Sequence, residues 1–524
     1  MQEFIARWGN RIVGTLSGFD RLVLRGSLPT ISYAEGMRSY LDAAGVLLKD
    51  FGSHVQKVSD SIKSASVAAA IRLERPVRYL PSSRVSKEEI AREILEKDRV
   101  DGLICVLSSV EPCKTFDIHR NRDIKMLELV SRERKCLFLY HYWNDRNLGF
   151  MSARIQTWFP FQIQVCLNGR EWLGRQMEGE NLEYLAAGNC FPFIKDWEKA
   201  QELMNAQLNT NWPRLLDGIA SQLNPIHETI FKARPIHYYW TTHQSEWAID
   251  TVFRNSDELK RLYRRFVQHG MTTLGSVDVM RYLGKPVTLK GEVPKSFRGE
   301  ATSTLKSREE GVRIKHVVNG NSVKLYDKAF TAKGSVLRAE TTLQNGSDLR
   351  VFRPKEGDPK GPLAWRPMRR GVADLHRRAQ LSEKAAQRYL DSFASIDDST
   401  SVQELVAKLQ KPASIGGRRV RALRPFDLDR QILAAIARAE FTLTGFRNRD
   451  LQDLLFDSPP GSPAEQRRRS SSISRLLRIL RAHGVISKTN HTHRYQLTAA
   501  GRQLVTAILS ALRATTQQLS SLAA

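Results

Sequence analysis

The sequence predicts an α+β fold spread over several domains. Over residues 1–230, apolar runs of strand length such as Leu103-Ile104-Cys105-Val106-Leu107 alternate with stretches of helical periodicity. Near the centre, Asn319-Gly320 joins two strand-like segments, and Asn-Gly readily supplies the positive φ angles of a tight hairpin. The C-terminal part reads as helices followed by one short hairpin. With 524 residues, of which 41% are hydrophobic, the chain can fill several cores at about 100–200 residues per domain.

Charge narrows the partners. The chain carries 81 Lys plus Arg against 55 Asp plus Glu, a formal charge of +26. That imbalance points to a polyanion. No apolar run reaches the roughly 18 residues of a membrane span. The opening Met1-Gln2-Glu3-Phe4-Ile5-Ala6-Arg7-Trp8 lacks a basic stretch followed by an apolar core, so a cytoplasmic location and no membrane partner are expected. Five cysteines lie irregularly between Cys105 and Cys190 with no Cys-x-x-Cys pair, the pattern of buried free thiols.

The segmentation follows from these patterns. Residues 1–230 form a mixed α/β domain. A short strand covers residues 19–26, and a helix covers residues 87–97 with Ser86 as N-cap. Strands follow at residues 103–107, 136–140 and 161–167. In the last of these the run Phe161-Gln162-Ile163-Gln164-Val165 makes one sheet face polar and a candidate nucleic-acid platform. The neighbouring Trp158, Phe159 and Phe161 suit either a core or base stacking, with the core favoured. Residues 231–350 form an α+β domain. It opens with a strand near Tyr238-Tyr239-Trp240 and a helix whose apolar face is Leu259, Leu262, Tyr263 and Phe266, backed by Lys260, Arg261, Arg264 and Arg265. Its hairpin strands cover residues 311–318 and 322–326, and a further strand covers 336–341. Residues 351–425 read as basic linkers around helices at 371–394 and 401–409.

Residues 426–524 carry the clearest pattern. Helices at 429–439, from 447 through Leu455, and at 464–483 precede a hairpin turning at residues 489–492. Thr498 then caps a last helix. In the third helix Ile473, Leu476, Leu477 and Leu480 form the core stripe, while Arg467, Arg468, Ser471, Ser474, Arg475 and Arg478 share the other side. Lys488 and Arg494 sit on the hairpin. Between Pro463 and Arg502 there are nine basic residues and one acid, Glu465. Guanidinium forks and hydroxyls suit phosphates and base edges, so this order predicts a winged helix-turn-helix that binds duplex DNA. A winged helix used for protein contact is the alternative, and it does not call for the charge bias. His491-Thr492-His493 reads as polar contacts of the wing.

Common nucleotide and hydrolase motifs are missing. The best catalytic candidate is Tyr326-Asp327-Lys328, followed by Arg338-Ala339-Glu340. This resembles the Tyr-Asp-Lys and Arg-x-Glu strand pair of rolling-circle replication initiators. The resemblance covers about 25 residues and lacks the family's His-hydrophobic-His metal motif. It implies a metal-dependent endonuclease or strand transferase. Glu340 would hold Mg²⁺ or Mn²⁺, with Asp20 as a second ligand if the sheet brings it near. Tyr326 and Asp327 match the first strand of the pair, and Lys328 would stabilise charge on the phosphate. The attacking tyrosine is not identified by the match; Tyr142 and Tyr389 are candidates. The bland alternative is an ordinary hairpin with an Arg338–Glu340 ion pair. The stretches Arg154-Ile155-Gln156-Thr157-Trp158-Phe159-Pro160-Phe161, Asn168-Gly169-Arg170-Glu171-Trp172-Leu173 and Gly445-Phe446-Arg447-Asn448-Arg449-Asp450-Leu451 resemble a large group of bacterial mobile-element-like proteins. The expectation is therefore a DNA-binding protein that processes nucleic acid, as a replication initiator or transposase-like nicking protein would. It would bind duplex through its C-terminal domain and single strand through its N-terminal part. A non-enzymatic regulator and a binder of structured RNA are the alternatives.

Overall fold

A computed structural model describes residues 1–524 except 124, 273, 286–299, 309–310, 329–334, 347–348, 359, 395, 397–401, 408, 439–440, 442–444, 490–491 and 516–524. The architecture is mixed α+β. The chain forms two compact units. One contains Met1–Val13, Phe253–Ala339 and Lys384–Ala524; the other contains Gly14–Val252 and Glu340–Glu383.

The strands, in chain order, are β1 (Ile12–Ser27), β2 (Val77–Tyr79), β3 (Gly102–Asn121), β4 (Met126–Asp145), β5 (Gly149–Gln156), β6 (Ile163–Asn168), β7 (Tyr184–Ala187), β8 (Cys190–Ile194), β9 (Tyr239–Phe253), β10 (Ala301–Arg308), β11 (Gly311–Val318), β12 (Asn321–Lys328) and β13 (Ser335–Leu343). In the Gly14–Val252 unit the sheet order is β9-β1-β6-β5-β4-β3-β2, with the Glu340–Leu343 end of β13 beside β9. β3 and β4 make one long antiparallel hairpin from Gly102↔Asn144 to Asn121↔Met126. β6 pairs antiparallel with both β1 and β5, with Arg25↔Gln164 and Arg154↔Gln164.

Several elements are longer than their sequence patterns. The strands expected at residues 19–26, 103–107 and 136–140 extend to the full β1, β3 and β4, and β9 runs well past the expected Tyr238-Tyr239-Trp240. Cross-strand pairing carries polar residues that interrupt the apolar pattern. The Phe159–Pro160 peptide is cis, and Phe159 and Phe161 are wholly buried, with Phe159 in ring contact with Tyr40 and both in contact with Phe231. Those two rings serve packing and cannot stack bases.

The helix Gly169–Gly179 is pinned at its first turn. Asn168 ends β6 and accepts hydrogen bonds from the N–H groups of Arg170 and Glu171, an N-cap. A Cβ on Gly169 would stand 2.1 Å from the Phe19 carbonyl oxygen of β1, so only glycine permits this approach. Arg170 then reaches β9. Its Nη2 lies 3.0 Å from Asp250 Oδ2 and donates to the Ala248 carbonyl, with both charged side chains at most 2% exposed.

In the other unit β10, β11, β12 and the Ser335–Ala339 part of β13 are neighbours in that order. The hairpin closes through Asn319 and Gly320, both at positive φ, between Val318 and Asn321. The helix Ser256–Thr272 buries Leu259, Leu262, Tyr263 and Phe266, the face its periodicity indicates. The stretches expected as linkers hold short antiparallel pairs. Arg350–Arg353 pairs with Ala364–Pro367 in the Gly14–Val252 unit, and Ala413–Ile415 pairs with Arg418–Val420 in the other. Arg421 forms a 2.7 Å ion pair with buried Asp429, which also accepts from the Arg424 N–H. Two local bonds therefore order chain that looked like linker.

The C-terminal elements are helices Arg430–Ile436, Asn448–Leu455 and Pro463–Ala482, a hairpin of Ile486–Lys488 with Tyr495–Leu497, and a helix Ala499–Arg513 capped by Thr498. Ile432, Ile436, Phe446, Leu451, Ile473, Leu477, Leu480 and Ile508 belong to their shared core. Parts of the expected elements fall outside the described residues: Ala439 of the first helix, Asn490 and His491 of the turn, and Ser401 and Lys408 of the earlier helix. Among the described residues no helix is long and apolar enough to cross a membrane.

Removing one partner of a buried ion pair leaves an uncompensated charge, at a cost of about 3–5 kcal/mol. Arg170→Met is therefore expected to lower the urea midpoint strongly. Lys195→Met, at an exposed pair with Glu183, is expected to shift stability by less than about 1 kcal/mol. Equilibrium urea unfolding of both variants checks the contrast.

Candidate functional site

Three carboxylates meet on adjacent strands of the Gly14–Val252 and Glu340–Glu383 unit. Two contacts align β1 with β9. A Cβ on Gly26 would lie 2.7 Å from the Trp240 ring, and the Phe19 and Trp247 rings meet edge-on at 5.0 Å. Both place residues in the same antiparallel alignment, which sets Asp20 opposite Glu246. Glu340 comes from the end of β13 beside β9. One oxygen of each of Asp20, Glu246 and Glu340 lies within 4.8 Å of the others. Asp20 and Glu340 are buried, and Glu246 is half-buried.

Side-chain amides orient the cluster. Asn189, in the turn between β7 and β8, donates to both Asp20 oxygens at 3.2 and 2.9 Å. Gln344 donates to Gln244 at 2.7 Å, and Gln244 donates to Glu246 at 2.9 Å. Thr342 donates to Glu340 at 3.4 Å. An all-oxygen donor set of this kind suits a hard divalent cation such as Mg²⁺ or Mn²⁺. Asp20 and Glu340, singled out from the sequence, come together here. Glu246 was missed because β9 was recognised only at its first residues. The signal available was an acid inside the strand-prone run Tyr239-Trp240-Thr241-Thr242-His243-Gln244-Ser245-Glu246-Trp247.

Tyr326, Asp327 and Lys328 lie on β12 in the other unit. Strand alternation separates them: Tyr326 and Lys328 share one face and Asp327 takes the other. The Tyr326 ring has Lys328 Nζ at 5.3 Å and the Arg313 guanidinium at 5.8 Å from its centroid. Burial pushes the Asp327 carboxyl up to about 6, against a smaller opposing effect of Lys260. The two further tyrosines do not fit an exposed nucleophile. Tyr389 is wholly buried among Tyr282, His316 and Phe393, and burial holds its hydroxyl well above the ordinary range. Tyr142 is buried against Phe150, and burial raises its pKa as well.

The helix Pro463–Ala482 separates its faces as its sequence indicates. Ile473, Leu477 and Leu480 are buried and Leu476 is partly so; Arg467, Arg468, Ser471, Ser474, Arg475 and Arg478 are exposed. The Ser462 side chain accepts from the Glu465 N–H as N-cap. Arg469 is turned inward, pairing with Glu465 and lying over the Phe456 ring. Asn448 donates to Ser474 Oγ at 2.9 Å and to the Ser470 carbonyl at 2.8 Å, which ties the preceding helix to this one. On the hairpin Lys488 is exposed and Arg494 is half-buried.

No protein-family model, curated protein or solved structure matches this chain.

A raised carboxylate pKa means that ionising Asp327 costs folded-state stability. Its penalty is absent at low pH and develops as pH rises from the unfolded value of 3.8 through about 6. Asp327→Asn is expected to raise the melting temperature relative to the parent at pH 7.5 and to lose that advantage near pH 4. Thermal melts at the two pH values measure it.

Proposed function

We propose that this chain is a nucleic-acid-processing protein that couples duplex binding by a C-terminal winged helix to metal-dependent phosphodiester cleavage at Asp20, Glu246 and Glu340. The observation that carries the reading is the convergence of these three carboxylates from adjacent strands. Carboxylate oxygens held this close by Asn189, Gln244 and Thr342 are preset for a divalent cation, so little ordering would accompany binding. A cation held there would offset charge developing on a phosphate and lower the pKa of a bound water. Asn189 would keep Asp20 in its ligating orientation, and the Gln344–Gln244 pair would do the same for Glu246.

The C-terminal elements support duplex binding. Their order is helix, helix, basic helix, hairpin, helix, with Arg467, Arg468, Arg475 and Arg478 exposed on one helix. In a winged helix that helix would enter the major groove, and Lys488 and Arg494 of the wing would meet the flanking backbone. Replication initiators and transposase-like nicking proteins of mobile elements combine these two activities, and we assign the chain to that functional class.

Glu340→Gln tests the site. Incubated with labelled single- and double-stranded DNA and Mg²⁺ or Mn²⁺, the parent is expected to cleave. The variant should lose at least about a hundredfold in rate while keeping duplex affinity. Absence of cleavage by the parent with either metal would instead make the chain a non-enzymatic DNA-binding regulator. Stronger binding of folded RNA than of duplex DNA at one salt concentration would make it a structured-RNA binder.

Arg475→Ala is expected to weaken duplex binding and to flatten the salt dependence by about 0.9 in the logarithmic slope, the share of one phosphate contact. Affinity measured across a salt series reads both.

A further inference from the structure

The opposite face of the same sheet carries a second chemistry. Arg25 is five residues beyond Asp20 on β1, so strand alternation sends it to the other face. There Arg25 and Arg154 flank Gln164 in direct register across β1, β6 and β5. With Lys114, Gln156 and Gln162 they line a cavity of about 340 Å³.

The cations Arg25, Arg154 and Lys114 share this lining with glutamine amides and with Pro112, Cys113, Phe138 and Ile163. Gln156 donates its amide to the Lys114 and Phe159 carbonyls. Arg154 Nη2 donates to Gln164 Oε1 at 3.2 Å, which engages the acceptor atom of that amide. Glu111 accepts from Ser109, Tyr140 and Arg154, and it forms an ion pair with Lys87. Among the described residues no carboxylate pairs with Arg25. Burial, and then the charges of Arg154 and Arg370, hold its pKa below the ordinary value. The pKa of His243 on β9 is lowered first by partial burial and then by Arg25, Arg378, Arg154 and Arg370. Several cations therefore repel one another around this space, and an anion placed between them would relieve that repulsion.

From this geometry we infer that the Arg25–Gln164–Arg154 cavity binds a phosphate ester. Its size admits a nucleotide unit, and the group can come from a free nucleotide or from a single strand laid across the face. The inference rests on the nucleic-acid reading above, but it needs no metal and none of the three carboxylates.

The test uses the full chain in EDTA. The probes are thymidine 5′-monophosphate and a single-stranded oligothymidylate of about ten nucleotides. Calorimetry measures affinity, and hydrogen exchange of the β5 and β6 peptides locates the bound probe. Binding should slow exchange there. Arg25→Gln should weaken the probe that produces this protection by about tenfold or more. Arg25→Lys should retain part of the affinity, because charge remains while the planar fork is lost. Protection by the mononucleotide assigns a nucleotide pocket; protection by the oligonucleotide alone assigns a strand path. Unchanged affinity for both probes in Arg25→Gln, or protection confined to other peptides, overturns the inference. Because EDTA removes metal chemistry, this result and the Glu340→Gln cleavage result can fail independently.

Discussion

The buried ion pair between Arg170 and Asp250 is the constraint on which the acidic cluster depends. Asp250 lies four residues beyond Glu246 on the same face of β9, and Arg170 reaches it from a helix whose cap, Asn168, is the last residue of β6. Gly169, between them, lets that helix start against the backbone of β1. One short stretch therefore touches three strands. Desolvating two charges is costly, and their attraction offsets that cost only in a narrow geometry. A one-residue slip of β9 would send Asp250 to the opposite face from Arg170 and Glu246 to the opposite face from Asp20. The pair that makes the register unforgiving thus also keeps the carboxylates together.

Local chemistry was legible in the sequence; long-range pairing was not. Ser86 and Thr498 cap the helices they were expected to cap, because an N-cap depends on residues three positions away. The buried faces of Ser256–Thr272 and Pro463–Ala482 followed from periodicity for the same reason. Strand lengths depended on partners far along the chain. β3 and β4 are extended over 20 residues each although many polar and charged positions lie in their outer halves, since the residues from Glu111 to Asn121 each find a pair on β4. The two stretches read as linkers fold into short pairs, one of them stabilised by the Arg421–Asp429 contact that spacing alone does not reveal.

The candidate site shows the same division. The Arg-x-Glu resemblance points to Glu340, and a strand-like segment to Asp20, but the register that sets Asp20 against Glu246 comes from Trp240 on Gly26 and Trp247 on Phe19. Glu246 became visible only once β9 was seen to continue beyond Trp240. Tyr326-Asp327-Lys328, consecutive in sequence, is split by the pleat, so the side chains of a contiguous motif do not form one cluster. Sequence proximity on a strand separates neighbours, whereas proximity across strands unites residues more than 200 positions apart.

The charge distribution follows from that geometry. Residues 421–524 hold 16 basic and seven acidic residues, so most of the +26 lies upstream of the basic helix. An acidic cluster by itself repels a phosphate backbone. Within the roughly 8 Å Debye length of physiological salt, that repulsion would dominate near the carboxylates unless a cation bridged them to the phosphate. Attraction at longer range must then come from cations placed elsewhere. A pleated sheet can provide both without mutual neutralisation, because alternate residues of one strand face opposite sides. Asp20 and Arg25 on β1 are such a pair: the acid accepts from Asn189, and the arginine stands among Arg154, Arg370 and glutamine amides. Separation by the sheet keeps the two charges from neutralising each other.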